Sequence, residues 1–347
     1  MINVGIVGIG FMGMIHYLSY QKAKGVKVVA LCEQDAKRLA GDWRTIKGNF
    51  GPQGTMMDLT GIRRYSNLAD MVADKGIDVV DICLPPAAHA DASVMASKAG
   101  KHVFCEKPIA LKTADAVRMV KAAEKAGKQL CIGHVLPYFP AYKFAYEAIT
   151  SGKYGKLLGG QFKRMVSVPT WVANWFDPNS FGGPMLDLHI HDAHFIRLVC
   201  GMPTVVQSVG RMRGEVVELF NSQFLFDDPG LMVSAISGAI NQQGRPFVNA
   251  FEIYLEKATL MFDSGTLGGQ AVTSIPLTVL TEDGKVKQPK LESGDPTDSF
   301  LAEINEVVRS VRSGEPSKLL SGALARDALI LCDRQTESVR KRKPVKV

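Results

Sequence analysis

The sequence predicts an α/β protein of two domains: a doubly wound parallel sheet, then an α/β domain with a large, mostly antiparallel open sheet. Three observations point there. Short apolar runs alternate with helical stretches over the first third of the chain, and a glycine-rich turn joins the first run to the first helix. After about Gly133 the alternation gives way to long β-rich stretches. A length of 347 residues allows two domains that each bury a core.

The early strands are expected at Ile2–Ile9, Val26–Cys32, Val79–Leu84, His102–Cys105 and Gln129–Ile132. Between them fall helical patterns at Met12–Lys22, Leu68–Asp74, Ala90–Ala99 and Thr113–Ala126. Strands that are apolar on both faces and alternate with helices build parallel sheets covered on both sides. Gly41–Gly61, broken by Gly and Pro, reads as a long loop. The first domain is drawn as 1–133 and the second as 134–347, with the closing helices free to pack back on the first. In the second, a helix is expected over Ala141–Ser151. Strands follow at Leu157–Val168, Val205–Arg213, Val216–Phe226, Leu231–Ile240, Phe247–Leu255 and Leu277–Leu280. Asp227-Asp228-Pro229-Gly230 and Asp283-Gly284 are turn signals. Helical patterns at Ser299–Arg312 and Ser321–Arg340 close the chain.

Composition narrows the function classes. An apolar fraction of 46% and a charged fraction of 22% are those of an ordinary globular protein. Arg340, Lys341, Arg342, Lys343 and Lys346 carry five positive charges against a net +7, so the basic excess is a tail and not a nucleic-acid stripe. Cys32, Cys83, Cys105, Cys131, Cys200 and Cys332 form no C-x-x-C pair and read as reduced core residues. With no leader pattern and no apolar run of spanning length, a cytoplasmic protein that does not engage the membrane is expected.

Gly8-Ile9-Gly10-Phe11-Met12-Gly13 fits G-x-G-x-x-G after an apolar strand and before a helix, the context that gives this pattern meaning. Gly8 permits the tight turn, Gly10 admits a pyrophosphate to the backbone amides, and Gly13 lets helix and strand pack closely. The helix N-terminus then offers N–H groups and its dipole to the anion. Glu33 ends the second strand twenty residues beyond Gly13, where a carboxylate accepts from the adenosine ribose hydroxyls. It would repel a 2′-phosphate, which favours NAD, while Lys37 and Arg38 leave NADP open.

Further motifs accumulate. Pro85-Pro86-Ala87-Ala88-His89 precedes Ala99-Gly100-Lys101-His102-Val103-Phe104-Cys105-Glu106-Lys107-Pro108. Gly182-Gly183-Pro184-Met185-Leu186-Asp187 leads into His191, and Phe251–Leu260 reads as a later strand pair. Together these segments resemble the Gfo/Idh/MocA family, the glucose–fructose oxidoreductase and inositol dehydrogenase relatives. The resemblance implies a Rossmann domain and a second domain whose open sheet often mediates oligomerisation, hence a homo-oligomer, dimer or tetramer. It implies an NAD(P)-dependent dehydrogenase acting on a secondary alcohol of a sugar, sugar derivative or inositol-like cyclitol. Lys107, Asp187 and His191 match the family's catalytic positions. Leu84, Pro85, His89, Glu106 and Lys107 are the cofactor-side residues beyond the glycine turn. Leu84 stands where threonine is frequent, His194 where many members have aspartate, and Leu136-Pro137 where an arginine is common.

The chemistry asks for a base that takes the hydroxyl proton as hydride leaves the same carbon. A neutral imidazole suits that, so His191 is the candidate base. Asp187, four residues earlier, shares a helical face with it and could orient the ring or bind a substrate hydroxyl. Lys107 would stabilise the developing alkoxide or transfer the proton itself. Taken singly, Lys107 could be a strand-end lysine, Asp187 an N-cap and His191 a core histidine. Trp171, Asn174 and Trp175 in the loop before Asp187, with His134 and Tyr138, are candidate substrate contacts; the tryptophans could equally anchor the loop. His189-Ile190-His191-Asp192-Ala193-His194 invites a zinc reading, but no histidine follows His194 to complete a binuclear set, so no metal is expected. Two outcomes from other classes stay open: NAD-assisted glycosidic cleavage without net redox, and a non-catalytic NAD sensor.

Overall fold

The computed structural model describes residues 1–170, 172–291 and 297–347. These group into two compact units, residues 1–138 with 297–326, and residues 139–291 with 327–347. Among the described residues no helix is long and apolar enough to cross a membrane.

The first unit begins with β1 (Ile2–Val7), α1 (Phe11–Lys22), β2 (Val26–Cys32), α2 (Ala36–Leu39), β3 (Arg63–Tyr65) and α3 (Leu68–Ala73). It continues with β4 (Val79–Ile82), α4 (His89–Lys98), β5 (His102–Glu106), α5 (Thr113–Ala126) and β6 (Leu130–Gly133). All six strands are parallel, in the order β3-β2-β1-β4-β5-β6. Such an order reverses between β1 and β4, and a ligand crevice opens at the carboxyl ends of the strands beside that reversal. The turns after β1, β4 and β5 all leave from this edge.

Periodicity did not predict β3 or α2. The sequence of β3, Arg-Arg-Tyr, has no apolar alternation and its arginines are exposed. α2 is four residues long and rests on the Asp35 side chain, which accepts from the Lys37 and Arg38 amides. The stretch read as a long loop carries a core residue: Trp43 is fully buried, meets Tyr17 edge-on at 5.0 Å and donates to the Arg38 carbonyl. The helix Asp298–Ser313 belongs to the first unit. Its Ile304, Val307 and Val308 share one core with Val4, Tyr20 and Phe104, because its apolar stripe is the lid on that side of the sheet.

The second unit opens with α6 (Pro140–Thr150) and β7 (Leu157–Ser167). One turn of π-helix, Met185–His189, then runs into α7 (Ile190–Cys200). After these come β8 (Val205–Arg213), β9 (Val216–Leu225), β10 (Met232–Ile240), β11 (Val248–Leu255), β12 (Ala258–Leu267), β13 (Gln270–Thr281) and β14 (Val286–Lys287). The helix Asp298–Ser313 is α8; α9 (Gly322–Lys341) and β15 (Val345–Lys346) end the chain. The sheet order is β14-β13-β12-β11-β7-β10-β9-β8-β15, antiparallel except where β7 lies parallel to β10. β13 is longer than its apolar segment because Gln270–Ser274 extends into solvent and only Leu277–Val279 is buried.

A buried ion pair pins α7 to the sheet. The Arg164 guanidinium from β7 grips the Asp192 carboxylate through Nε–Oδ2 at 2.6 Å and Nη2–Oδ1 at 3.1 Å. Two charges out of water cost several kcal/mol each, and this forked geometry offsets the cost only while both are present. Asp192→Ala is therefore expected to lower unfolding stability by about 3–5 kcal/mol in urea titrations, and Arg164→Met with Asp192→Leu to recover most of it. A single variant as stable as the parent would show that the pair is not desolvated.

Candidate functional site

In the first unit the glycine turn is built for close approach. Gly8 has φ +89°, and a Cβ there would lie 2.7 Å from the Cys83 carbonyl oxygen; at Gly13 it would lie 2.1 Å from the Gly8 carbonyl oxygen. Gly10 differs, since a Cβ there would meet nothing within 4 Å. Gly10 is also the N-cap of α1 and has no side chain to cap it. The amides of Phe11, Met12 and Gly13 therefore begin a helix whose end opens onto unfilled space, the donor set a pyrophosphate requires. These residues fit a dinucleotide.

Glu33 is fixed rather than loose. Its Oε2 accepts from the Ile9 amide at 2.7 Å, and Oε1 accepts from the Gln34 and Asp35 amides. Arg38 donates to the Ile9 carbonyl at 3.3 Å, so a carboxylate and a guanidinium flank the same turn. His89 is fully buried, with Nδ1 2.8 Å from the Pro108 carbonyl and Nε2 2.8 Å from the Leu84 carbonyl. Burial holds its pKa below the ordinary histidine value. A neutral ring has one N–H and so donates to one of these carbonyls, and its place between them sets the Leu84-Pro85 turn beside the Lys107–Pro108 turn.

Glu106, the last residue of β5, is buried, and its Oε2 accepts from the Lys107 amide at 3.2 Å. Lys107 is half-buried, as a group that meets a ligand must be, and the Lys107–Pro108 peptide is cis. Behind them, His134 is fully buried, and the half-buried Tyr138 has its hydroxyl out of solvent. Neither offers the exposed polar surface expected of a substrate contact.

In the second unit, Asp187 sits in the π turn and His191 in the first turn of α7, both half-buried. The approach is shaped by Gly182 and Gly183, at φ +72° and +64°. The amides of Ser180, Phe181 and Gly182 all bond the Asp177 carbonyl. Trp175 is 3% exposed, and its indole N–H donates to Asp187 Oδ2 at 2.8 Å. Of the two readings of this tryptophan the structure supports the anchor, and it adds a duty: orienting the Asp187 carboxylate. Asn174 is exposed in the left-handed region at φ +59°. Trp171 lies outside the described residues. His189 and His194 are fully buried. Burial pushes His189 down to about 4, so it is a neutral partner of Gln335, which donates on to Ser222. Sequence reasoning passed over Asp81, Arg164 and Glu303 as functional positions; for Asp81 the available signal was a charge inside an otherwise apolar run.

Gly10→Val should fold with an unchanged thermal midpoint, because φ −91° suits an L-residue and no neighbour is met. Its NADH affinity should fall by more than about tenfold by fluorescence titration. Gly13→Val should instead lose stability. NADH binding undisturbed by Gly10→Val would remove the helix end as the pyrophosphate site.

Comparison with known proteins agrees with this architecture. A model of the oxidoreductase family with NAD-binding Rossmann fold (Gfo/Idh/MocA) matches residues 2–134, and the Gfo/Idh/MocA C-terminal domain matches residues 142–261. Myo-inositol 2-dehydrogenase of Thermotoga maritima is 25% identical over 99% of this chain and 98% of its own. The 2,7-anhydro-N-acetylneuraminate hydratase of Escherichia coli K12 is 28% identical over 60% of this chain and 53% of its own. For several such relatives the match spans only about half of their length. Levoglucosan dehydrogenase in complex with NADH and levoglucosan superposes with a TM-score of 0.79 over 100% of this chain and 99% of that one, at 19% identity, a likeness of fold. With both of its domains matched, the chain belongs to the Gfo/Idh/MocA family of oxidoreductases, whose first domain is an NAD-binding Rossmann fold.

Proposed function

We propose that this protein is an NAD-dependent dehydrogenase that oxidises or reduces one secondary alcohol carbon of a sugar, a sugar derivative or an inositol-like cyclitol. The observation that carries the reading lies within the first unit: an uncapped helix end with open space at Gly10, and a half-buried ammonium, Lys107, on the same carboxyl edge of the parallel sheet. A bound nicotinamide would supply the hydride acceptor or donor. Gly8, Gly10, Phe11, Met12 and Gly13 hold the pyrophosphate, and Glu33 accepts from the ribose hydroxyls. Lys107 places positive charge beside the substrate oxygen as it becomes alkoxide-like. His191 takes the hydroxyl proton, and Asp187, held by Trp175, aligns the ring or a substrate hydroxyl. The relatives' names, inositol and levoglucosan dehydrogenases, support the substrate class.

NAD is preferred to NADP because the fixed Glu33 carboxylate disfavours a 2′-phosphate, with Arg38 the opposing influence. NADH should bind more tightly than NADPH in parallel titrations, and the reverse order would overturn the preference. Exposed Val209, Leu225, Met232 and Ile236 on β8, β9 and β10 support association through the large sheet into a dimer or tetramer. Six unpaired thiols fit a reducing, cytoplasmic compartment.

A screen of inositols, hexoses, amino sugars and sugar acids with NAD should find a substrate. With it, Lys107→Met and His191→Asn should each lower kcat by about 10²–10⁴-fold, with an altered pH–rate profile. Full turnover in both variants would sink the assignment. A second reading is NAD-assisted glycosidic cleavage without net redox, in which the cofactor is restored within each turnover; the name of one relative, a hydratase, denotes a reaction that is also without net redox. Product release without accumulation of free NADH would establish that reading in place of the first.

A further inference from the structure

Beneath the Lys107 turn runs a chain of buried ionisable groups that the proposed chemistry leaves unused. Asp81 on β4, His16 on α1 and Glu303 on α8 are fully buried, and Glu106 is nearly so. His16 Nδ1 lies 2.9 Å from Asp81 Oδ2, and its Nε2 lies 3.0 Å from Glu106 Oε1. The Nδ1 contact is a hydrogen bond, whereas Nε2 and Oε1 lie at ion-pair distance without hydrogen-bond alignment. Burial opposes a charge on the ring, but Asp81 outweighs it and holds His16 well above its ordinary value, with Cys83 Sγ 3.4 Å from Nδ1. Glu303 goes the other way in charge: burial, with Glu106 and Asp81 nearby, raises it well above the usual carboxyl range against the pull of His16. It stays a neutral acid. Tyr20, on α1 itself, is pushed up by burial and by Asp81. Phe104 stacks on the imidazole at 5.0 Å, and Gly133 makes room for Glu106, since a Cβ there would lie 3.0 Å from Oε1.

We propose that His16 is a positioning residue for Lys107, an imidazolium held between Asp81 and Glu106 that ties the helix opened by the glycine turn to the strand end bearing the lysine. One Glu106 oxygen faces His16 while the other accepts the Lys107 amide. The helix proposed to receive the pyrophosphate and the backbone of the proposed catalytic lysine are thus coupled through one side chain. This rests on the reading of Lys107 given above. His16, Asp81 and Cys83 also lie within 4.8 Å of one another, a spacing a metal could use. Burial raises the Cys83 thiol so that it keeps its proton, which disfavours a thiolate ligand.

The test begins on the unaltered protein, with nitrogen NMR of the His16 ring. Both nitrogens should be protonated at pH 8, where a free histidine is neutral; a neutral ring, or stoichiometric metal lost on His16→Gln, overturns the proposal. In His16→Gln, kcat should fall by roughly tenfold to a hundredfold with a displaced pH–rate profile, while NADH affinity moves far less. Adding Glu106→Gln should cost little more, because the two side chains act as one unit. A folded His16→Gln with parental kcat and pH profile overturns the proposal provided Lys107→Met is inactive; an active Lys107→Met condemns the reading of the lysine instead. Stability gives a measurement that needs no variant. The raised His16 value means that its contribution is complete below about pH 6.5 and is lost as pH rises through the folded-state value. Glu303, also raised, has the same sign from its ordinary value upward. The urea midpoint should therefore fall as pH rises above neutrality, less steeply in Glu303→Gln, and a flat midpoint counts against the charged ring.

Discussion

The first unit depends on a backbone contact that tolerates no side chain. Gly8 turns beside the end of β4 and Gly13 stacks on the turn, each so close that a Cβ would overlap a carbonyl oxygen. That contact brings α1 down on the sheet and leaves its N-terminus facing the edge from which the β4 and β5 turns also leave. The third glycine has no such steric duty, since space lies open around it. Two glycines thus serve packing, and one serves whatever anion approaches the helix end.

Buried charge does similar work in both units, at a cost that only complete pairing offsets. In the first, Asp81, His16 and Glu106 run inward from the half-buried Lys107. In the second, the Arg164–Asp192 fork begins at the residue next to the half-buried His191. Each candidate reacting group therefore sits on the solvent side of an ionic anchor that ordinary apolar packing would not orient. Directional bonds restrict rotation and register, whereas apolar contacts restrict mainly distance.

The segment before Asp187 shows how such anchoring extends to loops. Trp175 is part of a small apolar cluster with Val166 and Ala239, yet its one polar atom is spent on the Asp187 carboxylate. A single side chain secures the loop and aims the acid. The π turn that carries Asp187 adds a residue to the helical path ahead of α7, a local widening that is often found where a side chain must be presented.

By itself, the sequence determined the alternating strands and helices of the first unit and the glycine turn, both written in local spacing as an apolar period and a turn motif. The candidate set Lys107, Asp187 and His191 came from the resemblance of its motifs to the Gfo/Idh/MocA family. Tertiary structure decided which glycine packs and which stays open, that His89 lies between two turns, that Trp175 holds Asp187, and that α8 joins the first core. It also decided the length of β13 and the pairing of β3, both solvent-facing and so lacking an apolar signature. The partners of a buried charge lie far apart along the chain, as with His16, Asp81 and Glu106, and no local period records them. Only the folded backbone brings such groups within hydrogen-bond reach, which is where their charge states and proposed duties arise.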